Sequence, residues 1–390
     1  MTPEGRIVID LYPGLREGAA KIASSRPLTI PRQFRGRSPE QTVQTISLLF
    51  AACKAAQSIA AAEAFEHALG VEPSPSTRKA RAALILAETA REHALRILGD
   101  WPNFSRAPEA PDPAPLRAIM QADRKLARAL DETGAALGIG GETRAGGEAK
   151  AAIYELKALL ERAIFRRDLD DCRAMHPGEL GAWARDGHTT AQRLIRRVMD
   201  EGLIEAGAAD IAALPRLEDG ALAERLFAHD AEAFIALPEW EGAPRETSAL
   251  SRSLAHPPIA ALRTGHGYGL GARLAACLLE LSAIPSRIAA LMDAPDAPPK
   301  PEPVSGSGRG VAQVEAARGR LVHAVELEGG TVARYRILAP TEWNFHPSGA
   351  VAQGLARIAA GGGERDACAS LARLFAISAD PCVAAEVRVR

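Results

Sequence analysis

Five cysteines are the side chains best suited to soft-metal or nucleophilic chemistry in this chain, and their spacing argues against the common sites. Cys53, Cys172, Cys277, Cys368 and Cys382 are an odd number and include no CxxC or CxxH pair. Neither a disulfide framework nor a closed zinc site is indicated. In isolation, LLFAACKAAQ (Leu48 to Gln57) is the buried face of a helix carrying Cys53 as a small hydrophobe. ADPCVAAEVRVR (Ala379 to Arg390) is a turn at Asp380-Pro381 with Cys382 opening a terminal strand. Arg318 by itself is an ion-pair residue, and Glu4 a polar residue at a strand start. His266, within Thr264-Gly265-His266-Gly267-Tyr268-Gly269, belongs to a glycine-rich loop packing against the following helix, because no strand precedes it as a phosphate loop requires.

The elements that must position these residues are mainly helical. Aromatics are only 4% while Ala and Leu dominate, which favours helices packed through small and aliphatic side chains. Arg6 to Leu11 is β-branched, ends at Pro13-Gly14, and reads as a short strand. Ser38-Pro39-Glu40-Gln41 is an N-cap, a first-turn proline and a capping-box glutamine, opening one long helix that runs past Cys53 to a stop at Gly70. A second helix is expected from near Ser76 to about Leu98, antiparallel to the first, with others over 116–137, 148–166, 189–205 and 270–292, the last containing Pro285 as a kink. Leu321 to Leu327 and Thr331 to Leu338 alternate apolar and polar residues around Glu328-Gly329-Gly330, a hairpin signal. Residues 102–115, 134–147 and 293–310 read as flexible loops within a single domain spanning 1–390. The expected fold class is mainly α with small β parts (α+β), a long-helix bundle with an N-terminal strand and a C-terminal hairpin region.

Forty-seven basic against 48 acidic residues leave a formal charge of -1, which gives no footing for general nucleic-acid or anionic-membrane binding. No apolar run reaches the roughly 20 residues that cross a bilayer, and the N-terminus lacks a signal-peptide layout. A soluble, cytoplasmic protein without nucleic-acid or membrane partners is expected.

In order along the chain, these segments resemble the signature regions of the nickel-iron hydrogenase large subunit. Glu4 falls on that family's proton-relay glutamate in Arg-x-Glu-Gly-His, whose Arg and His are missing here. The Arg-x-Cys-Gly-x-Cys-x-x-x-His box falls on Leu48 to Gln57, with Phe50 at the first cysteine, Cys53 at the second and Gln57 at the histidine. The terminal Asp-Pro-Cys-x-x-Cys-x-x-His falls on Asp380 to Arg388, with Cys382 kept, Ala385 at the second cysteine and Arg388 at the histidine. Glu315-Ala316-Ala317-Arg318-Gly319-Arg320-Leu321-Val322-His323 resembles Glu-Ala-Pro-Arg-Gly-x-Leu-x-His, and Ala339-Pro340-Thr341-Glu342-Trp343-Asn344 resembles Val-Pro-Thr-Thr-Trp-Asn. In the family, that arginine and that Ser/Thr segment hydrogen-bond the two cyanides of the active-site iron. A guanidinium fork, a hydroxyl and backbone N–H groups are suitable donors to an anionic metal cyanide.

The resemblance implies that Cys53 and Cys382 are the metal ligands, and that Arg318 with Ala339, Pro340 and Thr341 binds the cyanides. A nickel-iron centre needs four thiolates, and two soft ligands cannot build its nickel site. They suffice for a transient low-spin iron that already carries its diatomics, Fe(CN)2(CO), without nickel. Beyond the histidine-equivalent Arg388 the sequence ends at Val389-Arg390, without the extension that an endopeptidase removes from catalytic large subunits, so no nickel-triggered processing is expected. The nearest branch is the HupK/HoxV type of hydrogenase expression/formation protein. It implies a scaffold, not an enzyme, whose partners are the maturation factors handling cyanide and carbon monoxide and the hydrogenase large-subunit precursor. The alternative is a metal-free adapter or structural protein on the large-subunit frame. A Cys53–Cys382 disulfide is a minor option in a reducing compartment, and Cys172, Cys277 and Cys368 are expected to be core or surface thiols.

Overall fold

Ser38 opens the first helix with the predicted capping box: its hydroxyl accepts the Gln41 N–H at 3.2 Å while the Gln41 side chain accepts the Ser38 N–H at 3.2 Å. In the computed structural model, which describes residues 5–15, 18–105, 110–173, 175–210, 212–295, 308–362 and 364–390, this helix does not run on to Gly70. Helix α1 (Pro39–Leu49) stops, a 3-10 turn spans Ala51–Cys53, and α2 (Lys54–Leu69) leaves at 103°. A tertiary partner makes the break tolerable. The Glu88 carboxylate accepts the N–H groups of Ala55 at 2.8 Å and Ala56 at 3.1 Å, taking the place of the lost helical carbonyls. Helix α2 then ends at Gly70 in the left-handed conformation (φ 69°), as predicted.

Helix α3 (Pro75–Leu95) is capped by Ser74 and runs into a π-helical turn, Arg96–Asp100. A fully buried ion pair clamps α2 to α3, with Arg81 giving two 2.7 Å hydrogen bonds to Glu66. Helices α4 (Pro113–Leu130) and α5 (Ala149–Leu160) pack in sequence beside α3, and Thr190–Asp200 matches another predicted helix. The central helix, Leu270–Asp293, contains Pro285 and packs on both α3 and α5. It is long and apolar enough by composition to cross a membrane, contrary to the expectation from the sequence. Leu274, Leu281, Ile284 and Ile288 are instead buried in the main core, and the charges of Arg273 and Glu280 are matched by Glu246 and Arg252.

Three short strands join the chain ends. Ile7, Ile9 and Leu11 of β1 (Ile7–Leu11) are fully buried and alternate with more exposed residues. Strand β1 pairs antiparallel with β2 (Ala20–Ser24), which the sequence did not suggest, and parallel with the terminal strand (Ala385–Val389), in register from Ile7↔Ala385 to Leu11↔Val389. A second sheet is a meander of Arg309–Ala316, Gly319–Glu328 and Thr331–Leu338. Its predicted hairpin turns at Gly329-Gly330, both with positive φ. Its first strand was not foreseen, and it lies so close to α2 that a Cβ on Gly310 would sit 1.9 Å from the Ala64 carbonyl oxygen.

The three expected loops divide differently. Of 102–115, Trp101–Phe104 is a 3-10 turn, 106–109 lies outside the described residues, and Pro113 already begins α4. Within 134–147, Gly140 donates its N–H to Glu66 at 2.8 Å and the Thr143 hydroxyl bonds Asp131. Of 293–310, residues 296–307 lie outside the described residues and Arg309 begins a strand.

Candidate functional site

Pairing of β1 with the terminal strand carries the C-terminal segment back to the start of the chain, and Cys382 lies just ahead of that strand. Cys53 is the N-cap residue of α2. The two thiols are electrostatic neighbours, a charge on Cys382 raising the pKa of Cys53. Thr341 donates its hydroxyl to Cys382 Sγ at 3.0 Å. It sits in a short buried helix, Pro340–Asn344, whose N-cap is Ala339. Asn344 from the same turn bonds the Arg318 carbonyl at 3.0 Å and accepts the Thr247 N–H at 2.9 Å. Gly319 follows at φ 127°, where a Cβ would meet the Thr247 carbonyl oxygen at 2.0 Å. The Arg-Gly pair of the sequence motif therefore serves geometry as well as charge: Gly319 permits the backbone that aims Arg318.

Arg318 gives Nη2 to Glu92 at 2.7 Å, and its Nε lies 3.5 Å from Asp380 without a hydrogen-bond partner. Burial would lower its pKa, but Asp380, Glu92 and the Cys382 sulfur hold it above its ordinary range. Asp380 adopts φ 51°, and burial, which would raise its carboxyl, is overcome by Arg96 and Arg318. A second guanidinium, Arg26, pairs with Glu342 and senses both Cys382 and Cys53. Burial first and then the Glu88 charge push the Cys53 thiol up to about 12, against the pull of Arg318. Burial likewise raises Glu88 to about 7 despite Arg91 and the two backbone N–H groups. At neutral pH Cys53 therefore keeps its proton, and a soft cation binding there must displace it.

The sequence-predicted residues Cys53, Cys382, Arg318, Ala339, Pro340 and Thr341 thus meet in one region. The donors are not idle: Thr341 is bonded to a sulfur and Arg318 to a carboxylate. Gln57 Oε1 accepts a hydrogen bond from His323 Nε2 at 2.9 Å, and His323 Nδ1 joins the Tyr335 hydroxyl at 2.8 Å. Phe50 caps α1, Ala385 pairs with Ile7 in the sheet, and Arg388 pairs with Glu386 at the surface. Glu4 lies outside the described residues. His266 is exposed at the end of the helix Pro257–His266. All five cysteines are free thiols. Among the described residues no group of three or more His, Cys, Asp or Glu side chains could hold a metal ion. Sequence reasoning missed Arg26, Glu88 and Glu92, and read Asp380 only as the turn residue of its motif. A signal for two of them was present in Glu88-Thr89-Ala90-Arg91-Glu92-His93, a titratable run inside an otherwise apolar helical pattern.

A family model described as nickel-dependent hydrogenase matches residues 280–387, a span that includes Arg318, Thr341 and Cys382. The hydrogenase expression/formation protein HupK of Rhizobium leguminosarum bv. viciae is 30% identical over 376 residues, covering 95% of this chain and 92% of that protein. The chain belongs to the HupK/HoxV family of hydrogenase expression/formation proteins. The HoxV protein of Cupriavidus necator is 32% identical, covering 87% of this chain and 85% of its own. Among solved structures, the Ni-Fe-Se hydrogenase of D. vulgaris Hildenborough superposes with a TM-score of 0.60 at 17% identity, covering 93% of this chain and 92% of that one. An NAD+-reducing [NiFe]-hydrogenase gives 0.59 at 16% identity, with the same coverage of each chain. At such identity the likeness concerns the fold. This HupK/HoxV member has the predominantly helical large-subunit architecture that its motifs implied.

Proposed function

We propose that this HupK/HoxV-family protein acts in hydrogenase formation as a non-catalytic scaffold, carrying or assembling an Fe(CN)2(CO) unit as cargo for the nickel-iron hydrogenase large subunit. The observation that carries this reading is the meeting of two thiols from opposite ends of the chain, Cys53 and Cys382, within the electrostatic reach of two guanidiniums, Arg26 and Arg318. Two thiolates are soft ligands for iron but too few for a nickel-iron cage. The guanidiniums offset the charge of two thiolates and of an anionic iron cyanide. The Arg318 guanidinium and the Thr341 hydroxyl are the donors for the cyanides, with Thr341 exchanging its sulfur partner for the cargo. A ligand set this small releases its cargo more readily than a bridged four-cysteine site. The partners on this reading are the cyanide- and carbon monoxide-handling maturation factors and the large-subunit precursor, and no nickel is bound.

One observation favours the second reading, a metal-free adapter on the same frame: Arg318 and Thr341 already have protein partners. Infrared spectroscopy of protein purified anaerobically with its maturation partners separates the two. The carrier shows bands of iron-bound carbon monoxide and cyanide that disappear in Cys53→Ala and in Cys382→Ala. Full hydrogenase maturation supported by the double variant would instead establish the adapter.

A further inference from the structure

Beside the thiol site lies a cavity of about 30 Å³, whose walls include His93, Trp101, Arg273, Cys277, Arg318 and Asp380. About 10–15 Å³ of such space takes one water-sized molecule, so the cavity suits a guest of roughly two or three heavy atoms. Three buried donors on its walls have no partner: the Trp101 indole N–H and the Nε–H groups of Arg273 and Arg318. Trp101 is 1% exposed and Arg273 2%, so bulk water does not serve them. Both terminal nitrogens of Arg273, and Nη2 of Arg318, are committed. Arg273 holds Glu246 through two bonds of 2.8 and 2.9 Å, and Arg318 holds Glu92. Asp380 contributes an unpartnered carboxylate oxygen, but its charge is clasped by Arg96 and Arg318.

A thiol faces the same space. Cys277 and His93 both line it and are electrostatic neighbours; His93 Nε2 lies 2.8 Å from Glu280, and Glu280 is gripped twice by Arg252 at 2.7 Å. Cys277 and Glu280 are three residues apart and project from one face of the central helix toward His93 on α3. The result is an imidazole–carboxylate pair, built from two packed helices, beside the Cys277 thiol.

We propose that this cavity is a binding site for a small, linear or planar monoanion, received by the indole and guanidinium N–H groups and lying against the Cys277 thiol. Charge-assisted N–H donors favour an anion over a neutral guest, and the enclosed volume excludes phosphate-sized ions. The inference needs no iron and so stands or falls apart from the carrier reading.

Azide is a suitable probe because its stretching band reports its surroundings directly. Metal-free full-length protein titrated with azide is expected to show a narrow band displaced from that of aqueous azide, saturating with concentration. Bound azide is also expected to slow iodoacetamide alkylation of Cys277, followed site by site by mass spectrometry. Trp101→Phe keeps the ring and removes one donor, and should weaken azide binding about tenfold. If that variant misfolds, protection of Cys277 in the unaltered protein decides the matter. A spectrum containing only free azide overturns the proposal. So does an equal affinity in Trp101→Phe, or an alkylation rate at Cys277 indifferent to azide.

Discussion

Cys382 reaches the site beside a strand, whereas Cys53 reaches it at a break between two helices, and different forces hold the two arms. The Cys382 arm rests on backbone pairing: Ile7 to Leu11 run alongside Ala385 to Val389, and the Thr341 hydroxyl touches the sulfur. The Cys53 arm rests on side-chain charge: Glu88 takes the free N–H groups of α2, and Glu92 on the same helix holds Arg318 beside the thiols. Backbone hydrogen bonds do not titrate, while a buried carboxylate does. One arm is therefore a fixed post and the other a titratable one, a division that the proposed carrier role would use.

The largest effect is expected from cutting the fixed arm. Ile9→Ala removes a fully buried side chain from the strand between both neighbours, and should cost about 2–5 kcal/mol in urea unfolding. Thiol labelling should then rise at Cys382 more than at Cys53. Next comes Glu88→Ala, which leaves one buried and one half-buried N–H group at the start of α2 unmatched, a loss of about 1–3 kcal/mol by the same measurement. Limited proteolysis should move to the Phe50–Cys53 turn. If cleavage stays unchanged there, Glu88 is not what holds the break. Thr341→Val keeps the shape and removes the hydroxyl, so about 0.5–1.5 kcal/mol is expected, with faster alkylation of Cys382 and no change at Cys53.

The smallest effect at neutral pH concerns titration, and it belongs to the charged arm alone. Burial lowers His93, but Cys277 and Glu280 more than compensate and hold it up to about 10, from an ordinary 6.5. A folded-state pKa raised in this way means stability complete below pH 6.5 and lost as pH rises through 10. Between those limits the unaltered protein should lose stability more steeply than His93→Gln, as denaturation midpoints at several pH values will show. Parallel slopes would remove His93 from the charged arm.

How far these features were legible in the sequence depended on how local their causes are. The Ser38 capping box, the Gly70 stop and the Gly329-Gly330 hairpin were readable because each is determined by residues a few positions apart. The break after Leu49 was not. No proline or glycine announces it, and the group that stabilises it, Glu88, comes from another helix. Strand β2 was missed for a similar reason, since only its partner β1 makes AKIAS a strand. In the site, Cys53, Cys382, Arg318 and Thr341 stood out through ordered motifs. Arg26 and Glu92 belong to no such motif, Asp380 read only as the turn residue of its own, and the importance of all three comes from the low-dielectric surroundings that packing creates. Cys277 read as an ordinary thiol until the central helix set it against His93.

By itself the sequence determined which donors exist, in what order, and which helices and turns carry them, because caps, periodicity and turn chemistry act over a handful of neighbouring residues. Tertiary structure alone decided that Cys53 and Cys382 meet, that α1 and α2 part at Cys53, and which charges face the thiols. Those outcomes depend on pairings between distant parts of the chain and on burial, and neither the strength of a buried charge nor the partner of a strand is written in its immediate neighbours.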